Sequence, residues 1–304
     1  MTDYTPGLTV DAMPPSRVRK VNIAYEEGIE EVARESFELP QNGARKVLLH
    51  SCCAPCSGAM IEAMIDRGLE VTIFFYNPNI HPKKEYEIRK EENKRYALKH
   101  AIPFVDCDYD AESWFERMGG LELEPERGVR CTSCFDMRME VTAAYAHEHG
   151  FKCFSTTNAT SRWKDIVQVN AAGLHAAKLY PGMEFWLHDW QTDEMTMRKY
   201  EVSVNERFYK QEYCGCAYSL RDSNIWRKQQ GIPPVKIGGE EAGLGTRYFM
   251  DAVTDAEEES QEVVDAFFSD AKLHFGDEKR IEKVLMKTYE SRKKSVDNVS
   301  INNW

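Results

Sequence analysis

KVLLHSCCAPCSGAMIEAMIDRGLEVTIFFY, residues 46–76, decides how the chain folds. VLLHS at 47–51 is a short apolar run of the kind a strand buried on both faces requires. CCAPCSG follows, then GAMIEAMIDRG at 58–68, which has helical spacing and ends on Gly68. LEVTIFFY at 69–76 is a second strand. Working outward, NPNIHP is a loop, and Pro82 suits the first turn of the polar helix KKEYEIRKEENKRYALKH at 83–100. IPFVDCDYD (102–110), FKCFST (151–156) and MEFWLHDW (183–190) read as three more strands. Between them lie a helix starting near CTSCF, a helix through IVQVNAAGLHAAKLY (166–180), and finally a polar helix reaching about Gln211. Strands alternating with helices predict an α/β fold with a mostly parallel sheet covered on both faces. No internal repeat is present.

The flanks differ from this core. Residues 1–45 form an N-terminal arm with Pro6, Pro14 and Pro15 and some helical character from Ala24. Residues 46–228 are the predicted catalytic domain. Residues 229–304 read as a helical C-terminal extension, in which IPPVKIGG is loop-like and two later stretches are amphipathic. From Ser223 onward there are 12 basic and 15 acidic residues, so the acidity is spread along the whole chain rather than confined to a tail.

With 39 Lys+Arg against 50 Asp+Glu among 304 residues, the formal charge of −11 argues against a protein that coats nucleic acid through bulk charge. A local basic groove is still compatible with that number, because attraction follows the field at the site. No run of about 18 apolar residues exists to span a membrane. The N-terminus lacks a basic segment followed by an apolar one, so the expected compartment is the reducing cytoplasm. There, nine cysteines point to metal or redox chemistry rather than to disulfides.

Seven of the nine fall into Cys52-Cys53-x-x-Cys56, Cys131-x-x-Cys134 and Cys214-x-Cys216. Cys-x-x-Cys turns two sulfurs the same way, as ligands of one metal or cluster. Seven thiolates exceed one four-ligand site. Adjacent Cys52 and Cys53 are expected to point apart and serve different centres, so two neighbouring centres are predicted: an iron–sulfur cluster and a separate metal with an open position. The plainer alternative is a zinc knot with the remaining cysteines buried as small hydrophobes. Cys107 and Cys153, lone in strands, are expected in the core.

Where ATP-using sheets of this kind carry an SGGxDS phosphate loop after the first strand, this chain has SCCAPCSG, in which only Gly58 could help. No GxGxxG follows a strand either, so electrons are expected from an external donor. Basic and aromatic residues interleave near the cysteines. Arg130 and Arg138 flank Phe135, and Lys210 and Arg221 follow Tyr209, a set suited to holding RNA phosphates and stacking a base. His81, Glu85 and Arg89 share one helix face and could line a pocket or form an i,i+4 ion pair.

In HSCCAPCSG, YNPNIHPKKEYEIRKEE, RCTSCFDMR, FSTTNATSRWKD and YKQEYCGCAYSLRDSN, the chain resembles the QueH-type epoxyqueuosine reductases over roughly residues 46–228. The resemblance implies a HUP-like (Rossmann-like) fold, a 4Fe–4S cluster and an adjacent mononuclear metal, iron or zinc. It also implies an oxidoreductase that reduces epoxyqueuosine to queuosine at the wobble position of tRNAs for Asp, Asn, His and Tyr. That two-electron reductive deoxygenation is the last step of queuosine biosynthesis. The family's ligands fall on the seven clustered cysteines, with Cys52, Cys131, Cys134 and Cys214 expected for the cluster and Cys53, Cys56 and Cys216 for the metal. Arg130, Arg138, Lys210 and Arg221 are the expected tRNA contacts. The donor would be a ferredoxin or flavodoxin, and His81, Asp136 or Tyr213 would supply a proton to the departing oxygen. The stretch between Trp190 and Tyr209 departs from the family pattern. The rival expectations are an ATP-dependent tRNA-thiolating enzyme of the same fold class and a non-enzymatic metal or redox sensor.

Overall fold

The computed structural model describes residues 37–107, 109–161 and 164–238. The N-terminal arm up to residue 36 and the helical extension beyond 238 lie outside the described residues. The architecture is α/β and Rossmann-like. β1 (Lys46–His50), β2 (Glu70–Phe75), β3 (Phe104–Asp106), β4 (Cys153–Thr156) and β5 (Glu184–Phe185) form one parallel sheet in the order β3-β2-β1-β4-β5. β1 lies at its centre, with Leu48 opposite both Thr72 and Phe154. Val47, Leu48 and Leu49 are wholly buried, which is why this strand reads as an unbroken apolar run.

Among the described residues the helices are α1 (Ala54–Ile65), α2 (Lys83–Lys99), α3 (Ala111–Met118), α4 (Val129–Glu148), α5 (Ile166–Lys178), α6 (Asp193–Asn205) and α7 (Ala217–Gln229). None of them is long and apolar enough to cross a membrane. The winding order reverses between β1 and β4, so the loops leaving these two strands diverge and open a crevice at the carboxyl edge of the sheet. CCAPC follows β1, and a 3-10 turn, Thr157–Thr160, follows β4.

Several sequence expectations shift. The strands predicted at 102–110 and 183–190 shrink to three and two residues, because edge positions pair on one side only. The helix expected to reach Gln211 ends at Asn205; Arg207 takes a positive φ of 50°, and Phe208 turns into the core. Helices α3 and α7 were not anticipated. The cap of α7 is the sulfur of Cys216, which accepts from Ser219 N, and cysteine is not among the residues that announce a helix start. The packed region also runs past 46–228 at both ends. Gln41 N and Asn42 N donate to the Glu184 carboxylate, while Val235 and Ile237 join a cluster with Ile88, Tyr209, Tyr213 and Leu220.

Gly58, the single glycine available to a phosphate loop after β1, lies inside α1 beneath α6. A Cβ there would sit 2.7 Å from Val202 Cγ1 and 3.1 Å from Phe208 Cε2. Overpacking of this kind costs about 1–3 kcal/mol, against about 1 kcal/mol of helix propensity gained. Gly58→Ala is therefore expected to lower the urea midpoint at constant m-value. An unchanged or raised midpoint would mean that the seam between α1 and α6 has slack.

Candidate active site and metal centre

At the end of β1 the backbone bends at Cys52, and Cys53 adopts an extended conformation (φ −169°, ψ 154°) as the N-cap of α1. Cys56 follows in the first helical turn. The sulfurs of Cys52, Cys53 and Cys56 all lie within 4.8 Å of one another, with Cys52 and Cys53 only 3.7 Å apart. The expectation that Cys52 and Cys53 point apart is thus overturned. Side chains alternate only where the chain is extended through both residues, and here it bends at Cys52. Cys52 Sγ accepts from Thr157 Oγ1 at 3.3 Å and lies 3.8 Å from Lys164 Nζ, while Gln211 Nε2 donates to Cys53 Sγ at 3.4 Å.

Charge follows this geometry. Hydrogen bonds from the Cys53 and Cys56 thiols, helped by Lys164 and Arg138, hold the Cys52 thiol well below its ordinary pKa despite burial. Cys53 is pushed up by the same sharing, and Cys56 rises to about 11. Of the three sulfurs, Cys52 is the one on which this arrangement favours negative charge. Lys164 is fixed by Asn158 Oδ1 at 2.6 Å, and Arg138 Nη2 donates to Asn77 Oδ1 at 2.7 Å. Asn77 Nδ2 in turn donates to the Ser51 carbonyl. Burial and Arg138 lower His50 to about 3, so a neutral imidazole spans Thr156 Oγ1 and the Tyr76 carbonyl.

The other four cysteines come from the starts of α4 and α7. Arg127 holds a left-handed backbone (φ 64°), and its N–H donates to Cys131 Sγ at 3.2 Å. Trp114 Nε1 donates to Cys134 Sγ at 3.4 Å, and Ser219 N to Cys216 Sγ at 3.3 Å. Burial and the charge of Cys216 raise Cys131 to about 12. Cys214, exposed at the surface, lies within range of the charges of Lys164, Cys216 and Cys131. All seven thiols are free, soft donors, and N–H or O–H groups aimed at several of the sulfurs suit thiolates better than thiols. This donor set fits thiolate-bound metal.

What joins the two groups is α2. Arg89, 2% exposed, pairs with Glu85 at 2.7 Å and donates to the carbonyls of Cys214 (3.1 Å) and Tyr213 (3.4 Å). Glu85 also accepts from Tyr209 Oη at 2.7 Å. One turn further, Asn93 donates to the Arg89 carbonyl and accepts from Ser51 Oγ at 2.6 Å, beside Cys52. Gly215 has a positive φ of 124°, and a Cβ there would lie 2.6 Å from Arg89 Nη1, so the loop can close on the guanidinium only with glycine.

The family model described as Epoxyqueuosine reductase QueH matches residues 47–222, a span that includes all seven clustered cysteines. The chain belongs to the QueH family. Relatives named "Epoxyqueuosine reductase QueH" include one from Haemophilus influenzae, 57% identical over 205 residues, covering 67% of this chain and 83% of the relative. One from Acinetobacter baylyi is 56% identical over 205 residues, covering 67% of this chain and 94% of the relative. A more distant one from Staphylococcus epidermidis is 32% identical over 192 residues, covering 60% and 80%.

In this QueH chain three of the four expected tRNA contacts are buried. Arg130, Arg138 and Arg221 are at most 2% exposed and point inside the protein, Arg130 and Arg221 each donating from Nη1 to the Glu122 carbonyl. Spacing gives the charge of a side chain but not the side of the helix that sees water. Lys210 is exposed. Asp136 faces Glu140, Arg117 and His175 rather than the cysteines, and burial raises its pKa. Tyr213 Oη donates to the His81 carbonyl, and burial holds its pKa up. His81 has its Nδ1 on the Asn79 carbonyl, within a cage of Tyr109, Trp114 and Phe115, and burial lowers its pKa. Cys153 is fully buried in β4 and Cys107 partly buried after β3. Sequence reasoning missed Trp114, Asn158, Lys164 and Gln211. Only Lys164 carried a signal, as a lysine in the loop after β4, where α/β sheets place their functional groups.

Arg89→Met would leave Glu85 buried and unpaired. The expected loss is about 3–5 kcal/mol in urea unfolding, part of it recovered in Glu85→Leu/Arg89→Met. A single-variant loss under about 1 kcal/mol would show that the clamp does not hold the two loops together.

Proposed function

We propose that this chain reduces epoxyqueuosine to queuosine at the wobble position of tRNA, the last step of queuosine biosynthesis, in the cytoplasm. The observation that carries this reading is the convergence of three cysteine sulfurs, two of them on buried residues, within 4.8 Å at the switch point of the sheet, in a chain of the QueH family. The closeness of the first three sulfurs supports a division of ligands different from the sequence expectation. Cys52, Cys53 and Cys56 would hold a metal, iron or zinc, and Cys131, Cys134, Cys214 and Cys216 a 4Fe–4S cluster. When bound, the cluster supplies single electrons and the three-thiolate metal a Lewis acid for the epoxide oxygen.

The chain's own residues prepare that chemistry. Thr157, Gln211 and Lys164 orient Cys52 and Cys53. Lys164 holds a proton 3.8 Å from Cys52 Sγ, on a side chain positioned by Asn158, whereas His81, Asp136 and Tyr213 are each engaged elsewhere. Burial of Cys52 and Cys53 keeps water from the reacting centre. A single-stranded anticodon loop, read by splaying and stacking a base, suits an acidic protein whose positive charge is local. The substrates are the tRNAs for Asp, Asn, His and Tyr, and the electrons come from a ferredoxin or flavodoxin. ATP-dependent thiolation is not favoured, because α6 and Phe208 fill the space around Gly58 where a phosphate loop would need room.

The test is anaerobic reconstitution with iron and sulfide, incubation with epoxyqueuosine-bearing tRNA and a reductant, and mass spectrometry of the released nucleosides. Queuosine should form without ATP consumption, and Cys52→Ser should reduce its formation by more than about a hundredfold. Loaded protein with a working donor and no queuosine would sink the assignment. Affinity for an anticodon stem-loop should fall with salt, the log–log slope being about −0.7 per phosphate neutralised. Salt-independent affinity would remove phosphate contacts from the account.

A further inference from the structure

We propose that Trp114 is the positioning residue that sets the reduction potential of the cysteine group at the start of α4, through its indole N–H on Cys134. The inference rests on the reading that Cys134 ligates a redox-active cluster. Trp114 is 1% exposed, so its N–H must find an acceptor inside the protein. Its ring neighbours are Phe115 (5.1 Å, edge-on), Tyr218 (5.6 Å) and His81 (5.8 Å), and its N–H goes to Cys134 Sγ at 3.4 Å. A thiol is a weak acceptor and a thiolate a strong one, so a buried indole committed to this sulfur matches an anionic ligand.

A comparison within the same group separates Trp114 from its neighbours. Cys131 and Cys216 receive main-chain N–H groups, from Arg127 and Ser219, which every residue at those positions except proline supplies. Cys134 receives a side-chain donor. Trp114 is thus a position where a substitution removes an N–H···S bond and leaves the backbone alone. The donor is also rigid. Asp110 caps α3 through Ser113 N, and the Tyr218 ring beside the indole lies beneath Arg130 (4.7 Å) and Arg221 (5.3 Å). Here the buried arginines find a purpose, since they wall in the ring that holds the indole. Hydrogen bonds to ligating sulfurs favour the more negatively charged, reduced state and raise the potential. Loss of the bond must therefore move the potential down.

The experiment is an anaerobic spectroelectrochemical titration of the full-length reconstituted chain, with iron and sulfide content measured on each sample. Trp114→Phe keeps an aromatic ring without the N–H; it should retain the cluster and shift to a more negative midpoint. Phe115→Leu, which disturbs the packing beside the indole and leaves the N–H, should keep the wild-type midpoint. Trp114→His retains a ring N–H and should fall between Trp114→Phe and wild type. Equal midpoints in Trp114→Phe and wild type, or equal shifts in Trp114→Phe and Phe115→Leu, would overturn the proposal. If Trp114→Phe cannot hold the cluster, retention by Trp114→His still supports the N–H, whereas loss in both makes the residue structural and ends the proposal. A wild-type chain that takes up no iron overturns the ligand reading first, a failure visible before any variant is compared.

Discussion

Arg89 has almost no access to water, and its hydrogen bonds are made inside the protein, to Glu85, the Tyr213 carbonyl and the Cys214 carbonyl. Burying a guanidinium is unfavourable by several kcal/mol unless it is paired and its N–H groups are satisfied, so each of these partners is constrained by the others. The pair fixes α2 against the loop that carries Cys214 and Cys216, and Asn93 on the same helix fixes α2 against Ser51, next to Cys52. Two cysteine groups more than 150 residues apart in sequence are held in register by one helix face. The same constraint explains Gly215, whose missing Cβ leaves room for the guanidinium.

Charge is organised locally in a way the net value conceals. The chain carries −11 overall, yet Arg89, Arg130, Arg138 and Arg221 are buried around the cysteine loops, and Lys164 stands beside Cys52. Thiolates gathered in a small volume repel one another. Fixed cations and N–H donors offset part of that repulsion before any metal binds, and the field at the site departs from the sign of the whole protein. The arginines that spacing assigned to RNA phosphates belong to this internal arrangement. They support the sulfurs and the aromatic wall around Trp114.

Elements whose burial follows from composition were legible in the sequence. β1 and β2 are apolar because both faces of a central parallel strand are covered, and the seven cysteines stood out because their spacing has few structural uses. α2 was legible as a helix but not as a spine: Glu85, Arg89, Glu92 and Asn93 are polar, and a polar helix reads as solvated until tertiary partners are known. The contact between Cys52 and Cys53 depends on a bend at Cys52, which residue types alone do not specify. The start of α7 was hidden because its cap is a sulfur, and the helix end before Phe208 because that ring is drawn into the core.

The architecture itself suggests why thiolates occupy this place. In a doubly wound sheet the crevice beyond β1 and β4 faces the start of α1, where unpaired backbone N–H groups and the helix dipole favour negative charge. α1 has no side-chain cap to consume those donors, since its N-cap residue is Cys53 and Pro55 removes one of them. A phosphate could use such a helix end only if the loop left room for it. Here the side chains at that end are sulfurs, and Gly58 is packed beneath α6. The positive end of the helix therefore favours thiolate charge at this turn, as it does for reactive cysteines at helix starts generally, and of its three sulfurs Cys52 is the one held low. A place where other sheets of this kind receive an anionic cofactor is filled by sulfurs of the protein's own, a donor set suited to a metal rather than to a nucleotide.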